Sequence, residues 1–283
     1  MLTLPKETSF EYGEDYQASQ VDKHKNRKAN HWRSRIELAH HLVDKYVLPK
    51  LSYESNKQIR TLDVGCSVGT IAIEMALRGF TSVGVDFDAS ALRIGHDLAE
   101  EEGVLVDFQL CDVAELELAD EEKFDIALCF DIFEHLHDDE LGALLQGIRR
   151  QMRSDGALVF YTFPLQYDYI FYSRDFLTWP LWPFKWMSEK AFERITRMYA
   201  LLLDIFLVAK TGKIYKERIQ KLSHCNPSTQ SRIELILRRA GYDVEFIESS
   251  NIYSFNEKII KRFGKYSVAH RNLYGVARPV KKK

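Results

Sequence analysis

The chain has 283 residues, which is enough for one large domain or for a smaller domain with additions. Its hydrophobic fraction of 46% and charged fraction of 28% are typical of soluble globular proteins, and its net charge of −2 provides no global attraction for nucleic acid. The four scattered cysteines form no Cys-x-x-Cys pair and no metal-binding spacing, so we expect reduced thiols, no metal and a cytoplasmic location.

The N-terminal part of the chain predicts helices rather than a targeting signal. Residues 1–22 lack the apolar stretch of a secretory signal, and no apolar run in the chain is long enough for a spanning helix. The basic cluster at residues 23–28 predicts a solvated helix face. Apolar side chains over residues 30–51 fall on one helical stripe, so this helix is expected to pack on the core and to complete a helical segment, 1–52.

A β-branched, apolar run over residues 60–64 stops at a glycine turn, and an apolar helix begins at Ile71. Gly65 and Gly69 allow positive φ and close approach of a ligand to the backbone, and the following helix directs unpaired N–H groups at the same place. The pattern therefore predicts a strand, a tight turn and a helix that together bind a nucleotide-like ligand.

The residues around this turn restrict the kind of ligand. Ser67 and Thr70 stand where a dinucleotide motif has its second and third glycines, and Asp63 would repel a pyrophosphate. A nicotinamide dehydrogenase is therefore disfavoured, whereas a ligand with a positive charge suits the acid.

Strand and helix patterns then alternate along the chain. Alternation of this kind predicts a doubly wound parallel sheet, in which ligands bind at the carboxyl ends of the strands. The predicted strands are 82–86, 104–111, 124–130 and 157–163, with helices at 89–102 and 140–153.

Three acids coincide with predicted strand ends. Asp86 follows Gly65 at about the 20-residue offset at which a carboxylate accepts hydrogen bonds from ribose hydroxyls. Asp112 follows the next strand, where an oxygen could accept from an adenine amino group. The alternative for each acid is a helix N-cap or a loop position, but three acids in register, with Asp63, favour a binding site.

These motifs resemble those of class I S-adenosylmethionine-dependent methyltransferases. The resemblance implies a seven-stranded, mostly parallel sheet whose seventh strand is antiparallel, with S-adenosylmethionine as cofactor. It implies a core of residues 53–164 and 224–283. The matching segments are 62–69, 83–86, 111–113 and 124–136, followed after a gap by the strands 243–247 and 272–277.

The resemblance also implies the residues of the site. Asp86 would hold the ribose, Asp112 the adenine, and the carbonyl of Phe130 the ammonium group. Ser67 departs from the glycine that many members have. The residues that would bind the cofactor are Asp63, Gly65, Cys66, Ser67, Gly69, Asp86, Phe87, Asp112, Val113, Phe130 and His135.

Methyl transfer from an activated sulfonium needs alignment, exclusion of water and often one base. The candidates for that base are His135, His224 and Asp131, and their spacing does not separate them. For His135 we favour the alternative that it opens a helix and braces the cofactor.

Residues 165–223, here called the aromatic insertion, contain three of the four tryptophans and a predicted helix from Ser188 to near Gly212. We favour a lid with its own small core that lines an apolar pocket. The alternative is a membrane-touching face, and the flanking Lys and Arg residues leave weak association with anionic lipid open.

The sequence therefore predicts methyl transfer from S-adenosylmethionine to a small or medium, largely apolar or aromatic acceptor, more at oxygen than at carbon or nitrogen. The alternatives are C- or N-methylation of a lipid-like or natural-product substrate, and a non-catalytic cofactor-binding or scaffold protein. No nucleic-acid partner is expected. The acceptor and the oligomeric state do not follow from the sequence.

Overall fold

The computed structural model describes residues 14–29, 31–52, 58–112, 116, 118, 122–212, 224, 226–251 and 257–280. Within these residues, seven strands form one sheet. They are β1 (Arg60–Val64), β2 (Thr81–Asp86), β3 (Val106–Leu110), β4 (Phe124–Phe130), β5 (Met152–Thr162), β6 (Tyr242–Ser250) and β7 (Asn272–Pro279).

The strand order is β3-β2-β1-β4-β5-β7-β6. Strands β1 to β5 pair in parallel, whereas β7 is antiparallel to both β5 and β6. The order reverses between β1 and β4, which opens a crevice at the carboxyl ends of these strands. The predicted fold class, a doubly wound and mostly parallel sheet, is confirmed.

Helices cover both faces of the sheet. The described helices are α1 (Glu14–Lys25), α2 (His31–Leu42), α3 (Thr70–Leu77), α4 (Ala89–Glu101), α5 (Asp138–Gln151), α6 (Asp168–Tyr172), α7 (Glu189–Thr211), α8 (Gln230–Arg239) and α9 (Glu257–Phe263). Short 3₁₀ turns add the segments Phe133–His135, Asp175–Phe184 and Ser267–Ala269.

The central strand β4 shows why two layers form. All its residues are buried, and successive side chains point to opposite faces. Ala127 and Cys129 belong to the core beneath α5 and α8, whereas Ile126 and Leu128 belong to the core beneath α2 and α3. The crevice is therefore held by a strand that packs on both sides.

The boundary between α5 and β5 differs from the prediction. The helix ends at Gln151 and the strand begins at Met152, several residues earlier than expected. Met152 pairs with Phe124, but Ala157 pairs with Ile126, so the intervening polar residues bulge out of register. That bulge carries the Asp-Gly sequence from which a later start of the strand was inferred.

The prediction that the basic cluster at residues 23–28 is solvated is wrong for two of its members. His24 and Arg27 are buried. Arg27 Nε lies 2.5 Å from Glu74 Oε1 and Nη1 lies 2.8 Å from Glu102 Oε1, while His24 Nδ1 lies 3.1 Å from Thr70 Oγ1. Glu74 on α3 and Glu102 after α4 thus compensate the buried charge of Arg27. These contacts attach the C-terminal end of α1 and the turn after it to the start of α3 and the end of α4.

The aromatic insertion begins after β5 and contains α6, the 3₁₀ segment and α7. Helix α7 follows Ser188 and ends at Thr211, and the φ of +70° at Gly212 permits the left-handed C-cap, as predicted. Its buried residues share a small core with α9, Tyr266 and Ala269. None of the described helices has the length and apolar character needed to cross a bilayer.

Candidate functional site

The loop after β1 has a left-handed backbone at three positions, with φ of +67° at Gly65, +51° at Ser67 and +76° at Gly69. A Cβ at Gly65 would lie 2.0 Å from Ile132 Cδ1, and one at Gly69 would lie 2.5 Å from the Phe108 ring. Glycine is therefore required at both positions by φ and by the close approach of neighbouring side chains.

Asp86, at the end of β2, holds this loop in place. Its Oδ2 accepts a hydrogen bond from Ser67 N at 2.7 Å, and Oδ1 accepts one from Asp88 N at 3.0 Å. The N-cap of α4 is Asp88, which accepts from Ser90 and Ala91, so the N-cap alternative for Asp86 is wrong. Burial raises the pKa of Asp86. The backbone of Phe87 donates to the same carboxylate, and the acceptor capacity that these three bonds leave is available to a ligand.

Asp63 lies beneath the loop rather than at its surface. The side chain is 3% exposed, and Oδ2 accepts a hydrogen bond from Ala72 N in the first turn of α3 at 3.0 Å. Burial raises the pKa of Asp63 to about 8. Cys66 is buried beside it, and burial raises the pKa of that thiol as well. The described cysteines Cys66, Cys111 and Cys129 are free thiols.

The remaining residues of the proposed cofactor site follow the strand ends. Phe87 and Asp112 are exposed after β2 and β3, whereas Val113 lies outside the described residues. Phe130 is buried at the end of β4 and stacks on Tyr161, with ring centroids 5.8 Å apart. Phe130 thus borders the same edge of the sheet as the acids Asp86 and Asp112.

Asp131 has a positive φ of +57° and is held by an arginine from α2. Arg35 Nε lies 2.6 Å from Asp131 Oδ2, and Arg35 Nη2 lies 3.1 Å from Oδ1. The guanidinium also lies over the Tyr161 ring, 5.0 Å from its centroid. Both oxygens of Asp131 are therefore engaged by a cation.

The structure brings together Glu134, His135 and His224, whose donor atoms lie within 4.8 Å of one another. The two imidazole rings are 5.0 Å apart and tilted by 56°. Glu134 is buried and accepts a hydrogen bond from Thr162 Oγ1 at 2.8 Å. Burial raises the pKa of Glu134 well above its usual range, and a protonated carboxyl is a poor metal ligand.

His224 reaches this cluster because Asn226 ties its segment to the end of β4. Asn226 N donates to Glu134 O at 3.0 Å, and Asn226 Nδ2 donates to Leu136 O at 2.6 Å. Gln166 N donates to Ser228 O at 3.0 Å, which joins the same segment to the chain after β5. Two of the three predicted base candidates, His135 and His224, are thus neighbours.

Sequence reasoning missed Arg35 and Thr162. Arg35 lies three residues after Trp32, so both lie on one face of α2, which is the signal that could have found it. Thr162 ends β5, and a polar residue closing a buried strand is the corresponding signal there.

Comparisons with known proteins agree with this fold. Residues 61–156 match a family model described as a methyltransferase domain. Over 79 residues the chain is 38% identical to the ubiquinone biosynthesis O-methyltransferase of Hahella chejuensis, covering 28% of this chain and 33% of that protein.

Two solved structures are similar over almost the whole chain. One is an S-adenosylmethionine-dependent methyltransferase from Clostridium acetobutylicum, with a TM-score of 0.56, 11% identity and coverage of 93% and 100% of the two chains. The other is the 4+2 cyclase SpnF, with a TM-score of 0.60, 16% identity and coverage of 99% and 100%. At these identities the likeness shows the fold alone.

The strand order and the glycine loop at the carboxyl end of β1 define a Rossmann-like α/β fold. Within that fold, the family match identifies residues 61–156 as a methyltransferase domain. The chain spans 33% and 54% of the length of two curated relatives that it matches, both ubiquinone biosynthesis O-methyltransferases.

Proposed function

We propose that this protein transfers the methyl group of S-adenosylmethionine to an oxygen of a small or medium, largely apolar or aromatic acceptor. The observation that carries the proposal is the pairing of two features at one sheet edge. A left-handed loop anchored on Asp86 lies at the ends of β1 and β2, and the His135–His224 pair lies beyond the end of β4. The first suits a nucleoside, and the second suits proton removal from a hydroxyl.

The residues present fit the cofactor. Asp86 retains acceptor capacity for a ribose hydroxyl, and the exposed Phe87 ring offers a stacking surface for a base. The buried carboxyl of Asp63 supplies negative potential below the loop when it is ionised. When bound, S-adenosylmethionine supplies an electrophilic methyl group.

We assign the proton-accepting role to the His135–His224 pair rather than to Asp131. A neutral imidazole accepts a proton in the physiological range. Asp131 is committed to Arg35 through both oxygens, so proton acceptance there requires loss of that ion pair. Glu134 and Thr162 form the buried side of the cluster. Their hydrogen bond fixes the buried surface against which an acceptor would lie.

Two observations support an apolar acceptor and transfer to oxygen. Tyr167 and Tyr169 belong to the small core of the aromatic insertion, so an aromatic unit follows Thr162 directly in the chain. The curated relatives are named ubiquinone biosynthesis O-methyltransferases, which supports oxygen as the methylated atom. The aromatic insertion would then exclude water from the reacting groups.

The cofactor half of the proposal is tested by calorimetry with S-adenosylhomocysteine. Asp86→Ala removes charge-assisted hydrogen bonds worth ~1.5–3 kcal/mol each, so affinity should fall at least about tenfold. Asp107→Ala is the matched control, because it removes an exposed carboxylate of β3 that lies outside the site. Equal affinities of the two variants would overturn the assignment.

The catalytic half is tested by release of S-adenosylhomocysteine with phenolic acceptors. His135→Gln and His224→Gln should each lower turnover by about 10²–10⁴, and His224→Gln, which lies outside the predicted cofactor contacts, should leave S-adenosylhomocysteine affinity unchanged. Cofactor binding without turnover for any oxygen acceptor would favour a binding protein or another chemistry on this fold, a distinction made relevant by the likeness to SpnF.

A further inference from the structure

The aromatic insertion exposes a large apolar surface. Of eighteen exposed large apolar side chains among the described residues, eleven lie between residues 176 and 208. Trp179 is 60% exposed and Trp186 is 81% exposed. We call this set the docking face: Phe176, Trp179, Trp182, Trp186, Met187, Met198, Leu201, Leu202, Ile205, Phe206 and Val208.

The docking face is separate from the small core of the insertion. Helix α7 buries Phe192, Thr196 and Ala200 in that core, where Phe192 stacks on Tyr266 at 3.9 Å. None of its residues from Leu201 onward is buried among the described residues. The second half of this helix therefore presents apolar side chains that the described fold does not cover.

The charge of this region is opposite to that of the whole chain. Residues 174–212 and 257–271 contain eleven Lys and Arg and five Asp and Glu, a net charge of +6, whereas the whole chain carries −2. The two ranges lie together, because α9 packs on α6 and α7 in the small core. The rest of the chain therefore carries −8.

Tryptophans and cations are neighbours on the docking face. The Arg262 guanidinium lies 4.0 Å from the Trp182 ring centroid, and Lys185 Nζ lies 4.9 Å from that of Trp186. Indole rings with adjacent cations are the groups that favour the headgroup level of a membrane, where apolar body and polar edge are both satisfied.

We propose that the docking face binds the surface of a bilayer that contains anionic lipid, with α7 lying in the interfacial plane. The positive charge around the docking face favours an anionic bilayer over a second copy of the chain. A second copy docked through the same face would place one positive surface against another, whereas an anionic leaflet is complementary to it. The charged residues of α7 agree with a helix that lies on a membrane rather than across it. This inference does not rest on the proposed methyl transfer.

Flotation of the full chain with phosphatidylcholine vesicles, with and without phosphatidylglycerol, tests the proposal. We expect binding that increases with phosphatidylglycerol and decreases with salt. The triple substitution Trp179→Ser, Trp186→Ser and Phe206→Ser should lower the vesicle partition coefficient at least about tenfold, because it removes the apolar area that enters the interface. The matched control is Leu105→Ser, since Leu105 is 93% exposed but lies outside the docking face.

A second variant separates the charge from the apolar area. Lys190→Glu with Lys261→Glu, both at exposed positions, should abolish the preference for phosphatidylglycerol and leave the fold unchanged by circular dichroism. Failure of the native chain to float, or equal flotation of the triple variant, overturns the proposal. A dimer in light scattering that the triple variant abolishes, without flotation of the native chain, would assign the face to a second copy and also overturn it.

Discussion

Arg35 of α2 and Asp131 after β4 form a two-point ion pair, with Nε–Oδ2 at 2.6 Å and Nη2–Oδ1 at 3.1 Å. The pair is largely shielded from solvent, and the guanidinium rests on the Tyr161 ring. An N-terminal helix is thereby joined to the strand end that borders the candidate site.

The coupling within this pair is measurable in a double-mutant cycle. Arg35→Met and Asp131→Asn should each lower the free energy of unfolding by ~1–3 kcal/mol, because each leaves a partly buried group without its partner. The double variant should cost less than the sum of the two. The exposed pair Arg33–Glu37 on the same helix is the control, and Arg33→Met should give no measurable change. Additive effects of the two substitutions at Arg35 and Asp131 would contradict the coupling.

Substitutions at two glycines distinguish the cost of backbone strain from the cost of a steric clash. Gly69 and Gly79 both have left-handed φ, but only at Gly69 would a Cβ meet a ring, that of Phe108. Gly79→Ala should lower stability by ~1 kcal/mol and Gly69→Ala by at least ~2 kcal/mol, measured by urea unfolding. In a chain that already carries Phe108→Ala, the further substitution Gly69→Ala should lower the free energy of unfolding by less than it does in the native chain. Equal losses for the two glycine substitutions would show that the Phe108 contact is unimportant.

Asp63 should give the protein a pH-dependent stability. Its pKa in the folded chain is about 8, whereas an unfolded aspartate titrates near 4, so the folded state binds this proton more tightly. The contribution is fully present below about pH 4 and is lost as the pH rises to about 8.

Asp63→Asn removes that dependence and keeps an oxygen that can accept from Ala72 N. The free energy of unfolding of the variant minus that of the native chain should therefore increase from pH 5 to pH 8 and then level off. The other buried acids remain in both chains and cancel in the difference. Urea unfolding at successive pH values gives the two curves, and parallel curves would be inconsistent with a raised pKa at Asp63.

Asn226 should act as a positioning residue for His224. Asn226→Ala removes the hydrogen bond to Leu136 O, so we expect a fall in turnover of more than about tenfold with unchanged S-adenosylhomocysteine affinity. Thr229→Ala is a control in the same segment, because it removes the N-cap of α8 and should lower the free energy of unfolding by ~1 kcal/mol without touching His224 or Leu136. A parallel loss of turnover in both variants would indicate general destabilisation instead.

The cofactor half of the site was accessible from sequence because its signals are local. Positive φ at Gly65 and Gly69, and an acid at the end of β2, follow from short patterns that the strand-turn-helix unit imposes. The positions of the strands followed from the same alternation. The register bulge in β5 did not, because pairing with β4 overrides the local turn signal of Asp155.

The other half of the site depends on contacts between distant parts of the chain. Arg35 and Asp131 are 96 residues apart, and Asn226 reaches Leu136 across 90 residues. No local pattern specifies such pairs. The burial of His24 was missed for the same reason, since its partner Thr70 lies on another helix. The aromatic insertion divides into a buried set and an exposed set only once α7 is placed against α9.

The hydrogen bonds of Asn226 to Glu134 O and Leu136 O, here called the Asn226 clamp, also have a kinetic consequence. Its two hydrogen bonds to the segment after β4 close a chain segment of about 90 residues, which carries a larger entropic cost than the local turns of β1 and α3. The clamp consists of a few hydrogen bonds of one residue, whereas β4 is paired on both sides within the sheet, so the clamp can open while the sheet stays intact. The Asn226 amide should therefore exchange its hydrogen by a sub-global opening while the amides of β4 stay protected, and the histidine pair would separate reversibly in an otherwise native chain.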